Sequence, residues 1–231
     1  MIDFAQFEKK TGIVFKDKKL LEQAFIHRSY INENAGLELC HNERLEFLGD
    51  AVLELIVTDH LYKKYTESNE GDLTAYRSSL VNAVTIGEVA LSLGMNEYLL
   101  LSKGEAKDIG KARGYILANT FEAYVGAVYL DRGYDAAKDF IAKNLFNKID
   151  TIVAKKLWRD PKSLVQEKSQ EFLNVTPSYK VINEVGPDHD KHFTIGIYFG
   201  DSLIAEGKGK SKQEAEQMAA QKALEIKEWL D

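Results

Sequence analysis

The sequence predicts a multidomain protein. An all-α first domain precedes a small α+β domain with the order helix, three strands, helix. Three observations carry this. All three prolines, Pro161, Pro177 and Pro187, fall in the last third, so residues 1–160 contain no proline to break a helix. Apolar residues in that stretch recur at helical spacing. Beyond residue 177 the pattern turns to alternation, the period of a strand. We place the first domain at residues 1–155, a joint at 156–160 and the second domain at 161–231. The joint has no Gly/Ser tract, which predicts a short, moderately flexible connection.

In the first domain, Leu45, Leu48, Val52, Leu55 and Ile56 define one broad apolar helix face. A second helix carries Ile116, Leu117, Phe121, Tyr124, Val125 and Val128. Both should be central. The second domain opens at Asp160-Pro161, with Asp as N-cap and Pro at the first helical position, and its first helix spans 161–173. Residues 178–185 alternate as a strand. Within 192–199, Phe193, Ile195, Ile197 and Phe199 point one way while Thr194, Gly196 and Tyr198 point the other. Residues 202–207 give a short third strand. Ser211 and Glu214 have the spacing of a capping box for a last helix reaching Trp229. The result is an antiparallel sheet with helices on one face.

Composition narrows the class. Hydrophobic residues are 45% and charged residues 29%, enough apolar material for a core, which excludes disorder over most of the chain. No apolar run reaches the roughly 18 residues a membrane span needs. The start, MIDFAQFEKKTGIVF, lacks the pattern of a secretion signal. A single cysteine, Cys40, cannot form a disulfide within the chain, and no Cys/His cluster suggests zinc; a reducing, cytoplasmic setting fits. The net charge of -6 argues weakly against a polyanionic partner, unless the basic residues are focused.

The stretch Asn42-Glu43-Arg44-Leu45-Glu46-Phe47-Leu48-Gly49-Asp50 is the most informative. Glu43, Glu46 and Asp50 stand at i, i+3 and i+7, so one helix face holds three carboxylates that repel one another. On the second helix Asn119 and Glu122 share a face. If the two helices pack face to face, Glu46, Asp50, Asn119 and Glu122 form an all-oxygen site for a hard cation such as Mg²⁺, suited to attack by water on a phosphodiester. A solvated acidic stripe without metal is the other outcome, and spacing alone leaves both open. His27 and His41 are read as structural.

The stretch NERLEFLGDAVLEL resembles the signature of the ribonuclease III family. HRSY (His27–Tyr30), EGDLT (Glu70–Thr74), SLVN (Ser79–Asn82), LLLSKGE (Leu99–Glu105) and ILANTFEAYVGAVYLDRG (Ile116–Gly133) are similar to other family segments, and the last domain resembles a double-stranded RNA-binding domain. The resemblance implies an Mg²⁺-dependent endoribonuclease, with Mn²⁺ able to substitute. It would cut both strands of duplex RNA to 5′-phosphate and 3′-hydroxyl ends with a short 3′ overhang, in ribosomal RNA processing and messenger RNA maturation or decay. Glu46 and Glu122 would ligate metal, Asp50 would hold and polarise the attacking water, and Glu43 would assist from nearby or touch RNA. The chain departs from the family at Asn119, where Asp is usual. An amide oxygen can still ligate a hard cation, with one charge fewer. Either the site works with weaker metal binding, or the chain is a non-catalytic duplex-RNA binder. An unrelated helical phosphohydrolase fits the carboxylates but not the last domain. The resemblance also implies a homodimer through the helical domain, whose two-fold axis would match the pseudo-symmetry of a duplex. Gly49 would permit close helix approach, there or merely in core packing.

Residues 160–231 carry nine basic and thirteen acidic residues, a net of -4, so the second domain is not globally basic. Its charge is focused: Lys208, Lys210 and Lys212 alternate at the start of the last helix, where free N–H groups already attract phosphate. Gln166, Glu167 and Gln170 on the first helix can reach 2′-hydroxyls in a minor groove, and His189 in the loop 186–191 stands where the family inserts a side chain into the next minor groove. Each of these has a bland counterpart as an ordinary solvated residue. Gln213 stands where the family commonly has a second lysine, which puts one phosphate contact in doubt.

Overall fold

The computed structural model describes residues 3–34, 36, 39–107, 110–154, 158, 160–187 and 191–229. The chain divides into two compact units, Met1–Trp158 and Arg159–Asp231. No described helix is long and apolar enough to cross a membrane.

The first unit is helical. Its described elements are α1 (Ala5–Thr11), α2 (Lys18–Ala24), α3 (Arg28–Glu33), α4 (Glu43–Lys64), α5 (Glu70–Leu80), α6 (Ala83–Ser92), α7 (Lys111–Arg132) and α8 (Tyr134–Ala154), with 3₁₀ turns at Met95–Tyr98 and Glu105–Lys107. Local chemistry sets several starts. Asn69 and Asn82 cap α5 and α6 by accepting the N–H groups of Asp72 and Thr85.

The two central helices, α4 and α7, are 22 residues each. They cross at two glycines. A Cβ on Gly49 would overlap the Glu122 carbonyl, and one on Gly126 would overlap the Leu45 carbonyl. Gly49 therefore serves packing within the chain. Around this crossing lie Leu45, Val52, Leu53, Ile56, Leu117, Phe121, Tyr124 and Val125, all buried. Leu55, expected inside, is 59% exposed, and Leu53 and Val57 take the interior instead. Helical spacing alone leaves the edge of an apolar face undefined, and neighbouring helices decide it. An aromatic cluster of Phe7, Phe25, Tyr98 and Tyr124 closes one side, with the Tyr124 hydroxyl donating to Thr11 Oγ1 at 3.1 Å.

The second unit contains α9 (Pro161–Leu173), β1 (Pro177–Val185), β2 (His192–Phe199), β3 (Ser202–Gly209) and α10 (Lys212–Ile226). The strands form one antiparallel sheet in the order β1-β2-β3. As the alternation predicts, Ile195, Ile197 and Phe199 are buried, and Ile197 and Phe199 pack with Leu164, Val165, Ala219 and Ala223. The Asp160 side chain accepts the Ser163 N–H with Pro161 at the first helical position. Gly207 and Gly209 let α10 lie directly on β3, because a Cβ on either would overlap helix atoms. The last helix ends at Ile226, three residues short of expectation. Glu228 adopts φ 55°, in the left-handed region that stops a helix, and Trp229 folds back to stack on Phe199 and Phe172 with centroids 5.7 and 5.8 Å away.

Candidate active site

The glycine crossing determines where the acids stand. Leu45 and Gly49 meet Gly126 and Glu122, so Glu46 and Asp50, each one residue further along α4, flank the contact. Their charges reach Glu122. Its carboxyl is pushed up to about 7, first by burial and then by repulsion from Asp50 and Glu46. Glu46 is also raised, by burial, then by Glu43, then by Asp50. Asp50 is exposed, and Asn119 is exposed one turn before Glu122 on α7. Glu43 sits outermost, 3.7 Å from Arg28 Nη1 and 3.7 Å from His41 Nδ1.

Burial and then repulsion from nearby carboxylates raise the proton affinity of these two neighbouring acids, Glu46 and Glu122. Among the described residues, no three His, Cys, Asp or Glu side chains already stand as a ligand cage. The donor set fits a hard cation nevertheless: three carboxylates and one amide, all oxygen, on two rigid helices. Arg28 and the outward Phe47, which is 83% exposed, escaped the sequence reading, and His41, read as structural, stands beside Glu43. Arg28 precedes α4 by a whole helix and loop, and no periodicity announces an apolar residue that faces solvent.

In the second unit, Gln166, Glu167 and Gln170 all lie on the exposed side of α9. Gln170 Nε2 donates to Thr176 Oγ1 at 3.3 Å. The three lysines do not share one face. Lys208 lies on β3 between Gly207 and Gly209, which face α10, so strand alternation turns its side chain to the opposite face of the sheet. Lys210 and Lys212 flank the Ser211 cap, and Lys212 Nζ lies 5.7 Å from the Phe193 ring centroid. The capping box is displaced by one residue. Ser211 Oγ accepts the Glu214 N–H, while Glu214 Oε2 accepts from Lys210 N rather than from Ser211 N. His189 lies outside the described residues.

Residues 17–149 match the family model described as Ribonuclease-III-like, and residues 161–227 match the double-stranded RNA binding motif. The chain belongs to the ribonuclease III family. The Ribonuclease 3 of Protochlamydia amoebophila is 48% identical over 94% of this chain and 89% of its own length. That of Enterococcus faecalis is 46% identical over 95% of each. The nuclease domain of ribonuclease III from Campylobacter jejuni superposes with a TM-score of 0.57 at 36% identity, covering 64% of this chain and 97% of that one. A ribonuclease III combines the two units found here: the chain is an endoribonuclease, with a helical nuclease domain followed by a double-stranded RNA-binding domain.

Proposed function

We propose that this ribonuclease III is an Mg²⁺-dependent homodimer that cuts both strands of duplex RNA, leaving 5′-phosphate and 3′-hydroxyl ends with a short 3′ overhang. The reading rests on one observation: Glu46, Asp50 and Glu122 meet at the glycine crossing with their repulsion unrelieved. Glu46, Glu122 and the Asn119 amide oxygen would hold the cation, with Asp50 beside them. Mg²⁺, or Mn²⁺ in its place, would supply Lewis-acid polarisation and water made acidic near neutral pH. Asp50, the most solvent-open of the three coupled acids, would accept a hydrogen bond from the attacking water and orient it. Glu43 would act at the rim.

The second unit would read A-form shape. Gln166, Glu167 and Gln170 would face a minor groove, and Lys210 and Lys212 the phosphates between grooves. His189 belongs to this proposal through the family pattern. Lys208, turned to the other side of the sheet, falls outside that surface. The nuclease and RNA-binding domains are taken as 1–155 and 161–231, joined by 156–160.

Dimerisation draws support from α4. Phe47, Leu55 and Tyr62 leave large apolar surface open along that helix. The Campylobacter jejuni nuclease domain is described as having a region involved in dimer formation. Ribosomal RNA processing, messenger RNA maturation or decay, and a cytoplasmic setting follow from the family and from the lone Cys40.

A cleavage titration tests the proposal. Long duplex RNA incubated across Mg²⁺ concentrations should yield short products carrying 5′-phosphates. Duplex retention without products, even with Mn²⁺, would favour the non-catalytic binder that Asn119 suggests. Asn119→Asp should restore one negative charge and lower the half-maximal Mg²⁺ concentration by roughly 3–10-fold. An unchanged or higher requirement would remove Asn119 from the ligand set.

A further inference from the structure

Bringing an RNA phosphate to four clustered acids requires fixed positive charge at their rim as well as any bound cation. The ion pairs of this site join two basic groups to Glu43, Arg28 and His41. Both contacts are 3.7 Å, too long for hydrogen bonds. The Arg28 side chain is 66% exposed and that of Glu43 48%, so the pair adds little to stability and does not explain why Arg28 stands there.

Its position comes from a scaffold of backbone bonds. His27 N–H donates to the Leu100 carbonyl at 3.0 Å, and Leu100 N–H donates to the Phe25 carbonyl at 2.9 Å. Asn42 N–H donates to the Ile26 carbonyl at 2.9 Å, and its side-chain amide donates to the Ala24 carbonyl at 3.1 Å. Ser102 N–H donates to Ser29 Oγ at 3.0 Å. Buried Asn42 thus ties the start of α4 to the segment carrying Arg28, instead of capping its own helix. Three segments distant in sequence become one rigid piece, with an open guanidinium beside the outermost acid.

We propose that Arg28 is a substrate-binding residue that grips an RNA phosphate next to the one being cleaved, with Glu43 holding the guanidinium until RNA arrives. The inference rests on the nuclease reading above and adds a contact to it. A guanidinium suits the task because it offers two parallel N–H donors to phosphate oxygens. Glu43 then serves as a positioning residue, and His41 Nδ1, buried without a hydrogen-bond partner, faces its other oxygen.

Steady-state cleavage of one defined duplex by the full chain, at several salt concentrations, decides the matter. Arg28→Ala should raise KM about 5–20-fold while kcat changes less than about twofold. The slope of log KM against log salt should fall by about 1. Arg28→Lys should keep the slope and recover KM only in part. Two outcomes overturn the proposal: KM and slope both unchanged, or kcat reduced with KM and slope unchanged. The second would mean that Arg28 only orients Glu43. Should Arg28→Ala fail to melt like the parent, Arg28→Gln carries the same readouts. Absence of cleavage by the parent chain would sink the nuclease reading alone. Metal-free duplex binding by parent and Arg28 variant would then still settle the contact through its salt slope.

Discussion

The two units treat charge in opposite ways. At the α4–α7 crossing of the nuclease domain, acids are gathered, and burial first and repulsion from Asp50 and Glu46 second push Glu122 up to about 7. In the RNA-binding unit, several lysines are paired with acids. Lys162 meets Glu216 at 2.6 Å, Lys168 meets Glu171 at 3.1 Å and Lys191 meets Glu184 at 2.8 Å. Gln217 Nε2 donates to Asp160 at 2.6 Å, tying α10 to the start of α9. A fold keeps repelling acids together at a cost, and such a cost marks a place that something outside the chain completes. The RNA-binding unit carries a net charge of -4, so its grip on RNA should depend on shape and a few phosphate contacts.

Breaking the crossing should have the largest effect. Gly49→Ala puts a methyl group into the Glu122 backbone, where neither helix can yield locally. A loss of about 2–4 kcal/mol in unfolding free energy is expected. Denaturant melts would measure it, and a loss below about 1 kcal/mol would show that the helices can separate cheaply.

Removing the charge without the shape should separate the two units. Glu122→Gln should cut cleavage on the order of 100-fold or more while duplex retention changes less than about twofold. Equal losses in both would erase the contrast between the units. The same variant tests the pH logic. Glu122 has a folded-state pKa near 7 against an ordinary value of 4.5, so the folded chain holds its proton more tightly than the unfolded chain does. Its contribution is therefore unfavourable above about pH 7 and fades as pH falls toward 4.5. In chelator, Glu122→Gln should stabilise the chain at pH 8 by about 1–2 kcal/mol and hardly at pH 5. The figure is set below the full linkage value because water screens part of the carboxyl. The same stabilisation at both pH values would refute the assignment.

The smallest effects belong to the RNA-binding unit. Lys210→Gln should weaken duplex binding and lower the salt slope by about 1. Lys208→Gln, on the far side of the sheet, should leave the slope unchanged. If the two variants behave alike, the alternation of β3 does not govern access to RNA.

Parts of this were legible early. The span of α9, with Asp160 capping and Pro161 following, depends on interactions within four residues, so the sequence predicts it to the residue. The inward set Ile195, Ile197 and Phe199 follows from a period of two. Helical spacing places Leu55 inside, but an apolar residue at the edge of a helix face can turn either way, and Leu55 turns outward. Lys-x-Lys-x-Lys spacing reads as one cluster, but β3 ends between its members and turns Lys208 to the other face.

Sequence by itself determined the elements and the family, because each is written in short-range spacing or in motif identity. Only the tertiary structure decided which helices cross at Gly49 and Gly126, and that Arg28 stands beside Glu43. Those facts depend on where chain segments not adjacent in sequence can approach without steric overlap. The crossing also brings Glu122 under the charges of Glu46 and Asp50, and the strength of that repulsion is set by their separation and by burial, neither of which is encoded in any local stretch.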